Sequence, residues 1–250
     1  MNTWTMKLIL ANVVMFALSM LAPGLLQATM LVPAESLVRP WTLITYMFMH
    51  AGFSHILFNM LGLFFFGPRL EAEMGGKRFL WLYFLSGLTG GFLSFFFTPY
   101  SPIVGASGAV YGVFMGFAYF WPREKIFLWG ILPIESRWLV VGMTLLSLFG
   151  GFGGEGSNIA HFAHLGGFLG AFLYLKWLDK RSPQALMMKA MAPPAPGRSA
   201  LERWAAIDRN SLHEVNRDEL DRIREKMARQ GVASLTTAEI GFLERFSSVR

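Results

Sequence analysis

Cysteine is absent from this 250-residue chain, and charged residues make up only 15% of it. Without a thiol, disulfides, cysteine nucleophiles and thiolate metal ligands are all excluded. Hydrophobic residues account for 54% of the chain, and the mean hydropathy is +0.43. This composition lies outside the range of soluble globular domains and is typical of a protein embedded in a lipid bilayer.

The apolar sequence falls into long runs that contain no charged residue. These runs are residues 8–34, 40–68, 79–122, 138–154 and 156–175. A helix needs about 20 apolar residues to cross a bilayer, so the third run is long enough for two crossings. Pro99 and Pro102 divide that run, because proline ends a helix. The sequence therefore predicts six spans, near residues 5–22, 54–70, 78–97, 104–121, 137–150 and 160–178.

Lysine and arginine are concentrated in the loops on one side of these spans. Residues 69–78, 123–137 and 176–189 hold the basic residues of that side, whereas the opposite side has only Arg39. This asymmetry predicts that both termini are cytoplasmic. The formal net charge of +6 is spread over several loops and forms no stripe, so we expect no nucleic-acid partner. No organelle transit peptide is visible, which favours a bacterial inner membrane.

The composition changes after the sixth span. The stretch APPAPGRSA is rich in proline, and residues 201–250 contain nine basic and nine acidic residues. Apolar residues at helical spacing before Gly231, and the capping sequence SLTTAE after it, predict two short helices. We therefore divide the chain into a six-span domain at 1–180, a linker at 181–200 and a cytoplasmic helical hairpin at 201–250. Docking or regulation is the role expected of the hairpin.

A few polar side chains interrupt the apolar spans, and such groups are costly enough in a bilayer to suggest function. His55 and Asn59 lie four residues apart, on one face of the second span. Ser107 begins the fourth span, within the sequence GASG, and His161 and His164 lie one turn apart at the start of the sixth. Together they offer a nucleophile, a base and oxyanion donors at one depth.

Each of these residues also has an ordinary structural interpretation. A serine in an apolar helix often bonds a carbonyl one turn back, and histidine or asparagine can join helices by hydrogen bonds. A metal site made of His50, His55, His161 and His164 is a second alternative, but no carboxylate and no HExxH sequence accompanies them. A catalytically silent adaptor that binds transmembrane helices is the third.

The fourth predicted helix is short. From Ser107 to Trp121 its 15 residues rise about 22 Å, against a hydrocarbon core of roughly 30 Å. Its N-terminus therefore lies below the outer surface, where unpaired backbone N–H groups and the positive end of the helix dipole favour an oxyanion. Gly105 and Gly108 remove side chains at this point, and we expect the space to admit a substrate backbone.

Glycines also predict which helices pack together. The sequence GAVYGVFMG repeats glycine every four residues on the fourth span, and Gly166 and Gly170 repeat that spacing on the sixth, alongside Gly167 and Ala171. Small residues at this spacing let helix backbones approach closely. If the two stripes meet, His164 lies beside Ser107 and is the expected general base, with Tyr111 one turn below the serine.

At this point the chain resembles the rhomboid intramembrane serine proteases. The matching sequences are HAGFSHILFNMLGLFFFG at 50–67, LEAEMGGKRFLWLYFLSG at 70–87, GASGAVYG at 105–112 and AHLGGFLG at 163–170. The resemblance implies an all-α membrane protein with a six-helix rhomboid-like bundle. It also implies a serine endopeptidase, needing no cofactor or metal, that cleaves single-span or multi-span membrane proteins within their transmembrane segments near the outer face.

For the site, the resemblance implies that Ser107 is the nucleophile and His164 the base. His55 and Asn59 join the backbone N–H of Ser107 in stabilising the oxyanion, and Tyr111 packs under the base. The glycine pair that follows His164 distinguishes it from the second histidine of AHFAHLGG. Family members commonly have Trp-Arg in the first loop, where this chain has Trp-Thr. The roles of the other histidines, the C-terminal segment and the oligomeric state stay open.

Overall fold

The computed structural model describes four stretches of the chain, namely residues 3–128, 130–152, 158–182 and 196–247. The chain divides into two compact units, Met1–Arg181 and Ser182–Arg250. Most of the predicted linker at 181–200 lies outside the described residues. The two units are considered in turn.

The described residues of the first unit contain six main helices, and each lies close to a predicted span. They are α1 (Trp4–Leu21), α4 (Phe53–Met74), α5 (Gly76–Phe97), α6 (Ser107–Phe120), α7 (Ser136–Phe152) and α8 (Asn158–Lys180). Between α1 and α4 lie the short helices α2 (Pro23–Thr29) and α3 (Thr42–Thr45) and the 3₁₀ turns Pro33–Glu35 and Tyr46–Phe48. The predicted class, a helical membrane bundle, is confirmed.

When each described helix is judged by its length and hydropathy, fewer than six are long and apolar enough to cross a membrane. In the part of the chain that the structure describes, α1 and α5 are each long and apolar enough to cross a membrane. The segment Thr42–Phe48 and α4 pass the same test together as a pair bent by 93°, which raises the count to three. Helices α6 and α7 are apolar but shorter. Six spans therefore stay a prediction.

The first unit also contains a small β-hairpin, which the all-α prediction omitted. Strands β1 (Lys125–Leu128) and β2 (Leu132–Glu135) pair antiparallel, with Lys125 opposite Glu135. Each strand has four residues, too few for an alternating pattern to stand out from the apolar sequence around it. The hairpin connects α6 to α7.

The loop between α1 and α4 is anchored by hydrogen bonds to its own backbone. The indole N–H of Trp41 donates to the carbonyl of Ala28 at 3.0 Å. The hydroxyl of Thr42 donates to the carbonyl of Arg39 at 2.6 Å, and the Arg39 guanidinium donates to the carbonyl of Gln27 at 2.5 Å. Arg39 thus supports this loop from a position two residues before the tryptophan.

Helices α5, α6 and α8 pack backbone against backbone. A Cβ added at Gly167 of α8 would overlap the carbonyl oxygen of Gly108 on α6, and one added at Gly166 would overlap that of Thr89 on α5. The predicted pairing of α6 with α8 is right, but the expectation that Gly166 and Gly170 face α6 is wrong. Consecutive residues point about 100° apart on a helix, so adjacent glycines serve two different neighbours.

A buried carboxylate joins α1 to α4. The oxygens of Glu71, a residue 8% exposed, accept the backbone N–H groups of Trp4 and Thr5 at 2.7 and 2.8 Å and the Thr5 hydroxyl at 2.7 Å. These N–H groups belong to the first turn of α1 and have no partner within the helix. The negative charge also faces the positive end of the helix dipole.

Glu71→Gln is expected to destabilise the protein by about 2 to 3 kcal/mol. The substitution removes the negative charge and replaces one of the two acceptor oxygens by an amide nitrogen, which cannot accept a hydrogen bond from α1. Denaturant unfolding of the detergent-solubilised protein measures the change. Glu73→Gln, at an exposed position on the same helix, is the matched control and should stay within about 0.5 kcal/mol of wild type. Equal stability of the two variants would contradict the capping role.

Within its described residues, 196–247, the second unit contains three α-helices: α9 (Arg198–Ala205), α10 (Glu214–Gln230) and α11 (Thr237–Ser247). The prediction of a two-helix hairpin omitted α9, which begins inside the segment interpreted as linker. Its Trp204 is 2% exposed and belongs to a buried cluster with Leu220 and Ile223 of α10 and Leu243 of α11. Helix α9 therefore packs, through Trp204, into the same buried cluster as the two predicted helices.

A capping box lies at the start of α11, and ion pairs join α11 to α10. Glu239 accepts the backbone N–H of Thr236 at 2.7 Å and donates its own N–H to the Thr236 hydroxyl at 3.2 Å, as the sequence SLTTAE predicts. Lys226 and Arg222 of α10 both pair with the Glu239 carboxylate at 2.8 Å. These bonds, that from Lys226 foremost, lower the pKa of Glu239 to about 2.

Candidate active site

Ser107 is the first residue of α6 and is half-buried. No side chain caps this helix, so the first N–H groups of α6 are open to an acceptor. The preceding loop is held in place through Tyr46, whose carbonyl accepts the N–H of Gly105 at 2.9 Å. The Tyr46 hydroxyl in turn donates to the carbonyl of Gly87 on α5 at 2.7 Å. The serine is thus carried by a loop tied to the helix bundle.

Gly105 brings His55 and Ser107 together. Its φ of +123° lies in the region that favours glycine. A Cβ built there would lie 2.6 Å from Nε2 of His55 and 3.7 Å from Oγ of Ser107, so both side chains border the same point. The Cβ direction of Gly105 is therefore filled by the imidazole of His55, and the role of Gly105 in admitting a substrate backbone stays a prediction.

Gly108 serves the packing of α6 on α8. A Cβ at Gly108 would lie 3.2 Å from the carbonyl oxygen of Ala163, the residue before His164. The space that we assigned to substrate at this glycine is thus filled by the backbone of α8. This contact places the start of α8 against the start of α6, at the level of Ser107.

The His164 imidazole stacks on the ring of Tyr111, with centroids 4.0 Å apart and planes inclined by 17°. Both ring nitrogens of His164 are buried, and neither has a hydrogen-bond partner among the described residues. No hydrogen bond therefore joins the imidazole to Ser107 in this state. Catalytic hydrogen bonds are often long before substrate binds. The lack of a hydrogen bond between His164 and Ser107 is therefore compatible with a serine–histidine pair.

His55 of α4 lies beside Ser107, and Asn59 follows it one turn later on the same helix. His55 borders Gly105, and its ring meets the ring of His50 edge-on with centroids 5.1 Å apart. Asn59 is buried, and its side-chain nitrogen donates to the carbonyl of His55 at 2.8 Å. One N–H of this amide is thus used inside α4, and the second is left for another acceptor.

Two further histidines, His50 and His161, contact the site histidines His55 and His164. The rings of His161 and His164 are perpendicular, with centroids 6.3 Å apart. His50 is 3% exposed, and neither of its ring nitrogens has a partner within the described stretches. Sequence reasoning missed the contact of His50 with His55, although the spacing HAGFSH places both at the start of α4. No group of three or more His, Asp or Glu side chains is arranged to hold a metal ion in the described part of the chain.

Comparison with known proteins bears on the same residues. The family model described as "Rhomboid domain" matches residues 38–181. "Putative rhomboid protease YdcA" of Bacillus subtilis is 35% identical over 146 residues, which cover 56% of this chain and 70% of that protein. "Rhomboid protease GluP" of the same organism is 35% identical over 133 residues, covering 53% of this chain and 25% of that protein.

A plant protein gives a match of similar extent. "RHOMBOID-like protein 1" of Arabidopsis thaliana is 36% identical over 133 residues, which cover 53% of this chain and 33% of that protein. The chain thus spans a quarter to a third of the length of two of these relatives. The segment matched by the family model includes Ser107, His164 and their neighbours, and it ends at the boundary of the first unit.

Proposed function

This chain belongs to the rhomboid family, and we propose that it is a serine endopeptidase that cleaves the transmembrane segments of other membrane proteins. One observation carries the proposal. Ser107 stands at the uncapped N-terminus of α6, with the imidazole of His55 beside it and His164 on the adjoining helix. This arrangement supplies a nucleophile, oxyanion donors and a base within the membrane-embedded unit.

In the proposed reaction, Oγ of Ser107 attacks the carbonyl carbon of the scissile peptide bond. His164 accepts the serine proton and then delivers it to the leaving amine, which yields an acyl-enzyme. A water molecule, deprotonated by the same histidine, hydrolyses the ester and releases the second product. Stacking on Tyr111 orients the imidazole, a task that an aspartate performs in three-residue systems.

The tetrahedral intermediates carry a negative charge, which the start of α6 is suited to bind. The backbone N–H of Ser107 and the helix dipole both point toward this position. The imidazole of His55, which borders Gly105, donates a hydrogen bond to the negatively charged oxygen. The side chain of Asn59 donates its second N–H to the same oxygen. Removal of one such donor typically costs about 10²- to 10³-fold in rate.

The length of α6 supports cleavage inside the bilayer. Its 14 residues rise about 21 Å, roughly 9 Å less than the hydrocarbon core. With both termini in the cytoplasm, Ser107 lies below the outer surface, where it reaches single-span or multi-span substrates. A bacterial inner membrane is the proposed location.

A catalytically silent adaptor that binds transmembrane helices is the alternative function. The observation that favours it is the missing hydrogen bond between Ser107 and His164. An adaptor would keep the glycine-mediated packing of α5, α6 and α8 and the contacts between histidines, and it would not activate the serine. The two functions therefore differ in the reactivity of one oxygen atom.

A fluorophosphonate probe tests this difference, because it reacts with an activated serine. We expect the purified protein in detergent or proteoliposomes to be labelled at Ser107, as located by peptide mass spectrometry. His164→Ala should slow labelling by about 10²- to 10⁴-fold, the usual contribution of a general base. Heat-unfolded protein is the control for nonspecific reaction. A folded wild type that neither labels nor cleaves a transmembrane substrate in several lipids would support the adaptor.

A further inference from the structure

An apolar groove with a volume of about 520 Å³ lies between α5 and α8. Trp81 and Leu85 of α5 form one wall, and Leu173 and Trp177 of α8 form the other. Three of these side chains remain largely open, since Trp81, Leu173 and Trp177 are 54%, 56% and 47% exposed. The volume falls within the range of about 300 to 1,000 Å³ that is common for small-molecule sites.

The groove runs toward the end of these helices that is opposite Ser107. The two helices run antiparallel, since Phe97 at the end of α5 stacks on Phe162 near the start of α8, with centroids 4.3 Å apart. That stacked pair is near His164, whereas the groove extends from Thr89 and Gly170, in the middle of the two helices, toward the start of α5 and the end of α8. It is therefore separate from the candidate active site.

Two guanidinium groups lie at the end of the groove that is farther from Ser107. Arg181 directly follows α8, and its Cζ lies 4.3 Å from the ring centroid of Trp177. Arg78 is exposed and lies one helical turn before Trp81, on the same face of α5. Tyr174 itself stacks on Trp177, with centroids 6.0 Å apart. An aromatic wall thus connects the two cations.

Neither guanidinium is neutralised by a carboxylate. Within the described residues, Arg78 and Arg181 take part in no ion pair. The sequence contains no Asp or Glu at 74–123 or at 180–201. The nearby carboxylate of Asp179 accepts a hydrogen bond from Tyr119 of α6. This end of the groove therefore carries a net positive charge.

We propose that this groove binds an anionic phospholipid, with an acyl chain between Trp81 and Trp177 and the phosphate between Arg78 and Arg181. Guanidinium groups pair with phosphate oxygens in a bidentate manner, and tryptophan is favoured at the level of lipid headgroups. Basic pockets between transmembrane helices bind anionic headgroups in the same way. A zwitterionic lipid binds less well, because its headgroup cation meets the two arginines.

Native mass spectrometry of the purified full-length chain tests the proposal. Phosphatidylglycerol and phosphatidylcholine with identical acyl chains are offered to wild type and to the double variant Arg78→Gln/Arg181→Gln. We expect wild type to prefer phosphatidylglycerol by about 10- to 30-fold. Each of the two arginines strengthens the binding of an anionic headgroup, and the two contributions multiply. The double variant should bind the two lipids almost equally.

The variant Arg123→Gln/Lys125→Gln is the matched control. It removes the same charge from two exposed positions at the same end of the bundle, Arg123 in the turn after α6 and Lys125 at the start of β1, and it should keep the preference of wild type. Circular dichroism establishes that each variant is folded. The proposal is overturned if wild type shows no headgroup preference, if the Arg78/Arg181 variant keeps it, or if the control loses it equally. No outcome depends on protease activity.

Discussion

Ser107→Ala is expected to lower the rate of transmembrane-substrate cleavage by about 10⁴- to 10⁶-fold, the loss typical of removing a serine nucleophile. Stability should stay within about 0.5 kcal/mol of wild type, because this half-buried hydroxyl makes no hydrogen bond in the described residues. Initial rates on a fluorogenic transmembrane substrate in proteoliposomes measure the first effect. Thermal unfolding measures the second.

Ser101→Ala is the matched control for this variant. Ser101 is also half-buried and lies in the same loop region before α6, so the chemical change is the same at a position away from the reacting atoms. It should retain the wild-type rate within about twofold. Cleavage by the Ser107 variant at a rate near wild type would show that another nucleophile acts.

Gly167→Ala is expected to destabilise the protein by about 3 kcal/mol, at the upper end of overpacking costs. The added Cβ would overlap a backbone carbonyl on α6, which cannot move aside as a side chain does. Because α8 carries His164 and α6 carries Ser107, forcing the helices apart also separates the base from the nucleophile. A misplacement of about 1 Å costs around 10²-fold in rate.

Gly142→Ala provides the comparison for that effect. Gly142 lies in α7, and a Cβ built there meets no atom within 4 Å. Alanine is about 1 kcal/mol more favourable than glycine inside a helix, so this variant should be neutral or slightly more stable. If both alanine variants keep wild-type unfolding midpoints and rates, the close contact between α6 and α8 has no role in forming the site.

The long helices were predictable because their signals are local. Runs without charge, and prolines such as Pro99 and Pro102, mark where an apolar helix begins and ends. The fourth span was predicted near residues 104–121 for the same reason, and α6 begins at Ser107. The hairpin at 125–135 and helix α9 were not predicted, because the first has strands of four residues and the second follows a proline-rich segment.

The arrangement of the candidate site was less predictable than its members. The sequence places His55, Ser107 and His164 near helix starts, but it does not give the rotation of each helix about its axis. That rotation decides that Gly167, one residue from the expected Gly166, contacts α6. It also decides that the imidazole of His55 fills the space beside Gly105. Contacts between distant segments of this kind leave no periodic trace in the sequence.

The separate buried clusters of the two units affect how stability is to be measured. Trp204 and its neighbours form a core drawn entirely from the C-terminal unit, whereas the bundle core is drawn from residues before Arg181. Because each unit has its own buried cluster, unfolding is followed separately for each unit. Seven of the eight tryptophans precede Arg181. Their fluorescence therefore reports mainly on the membrane unit, while far-ultraviolet circular dichroism sums both melting events.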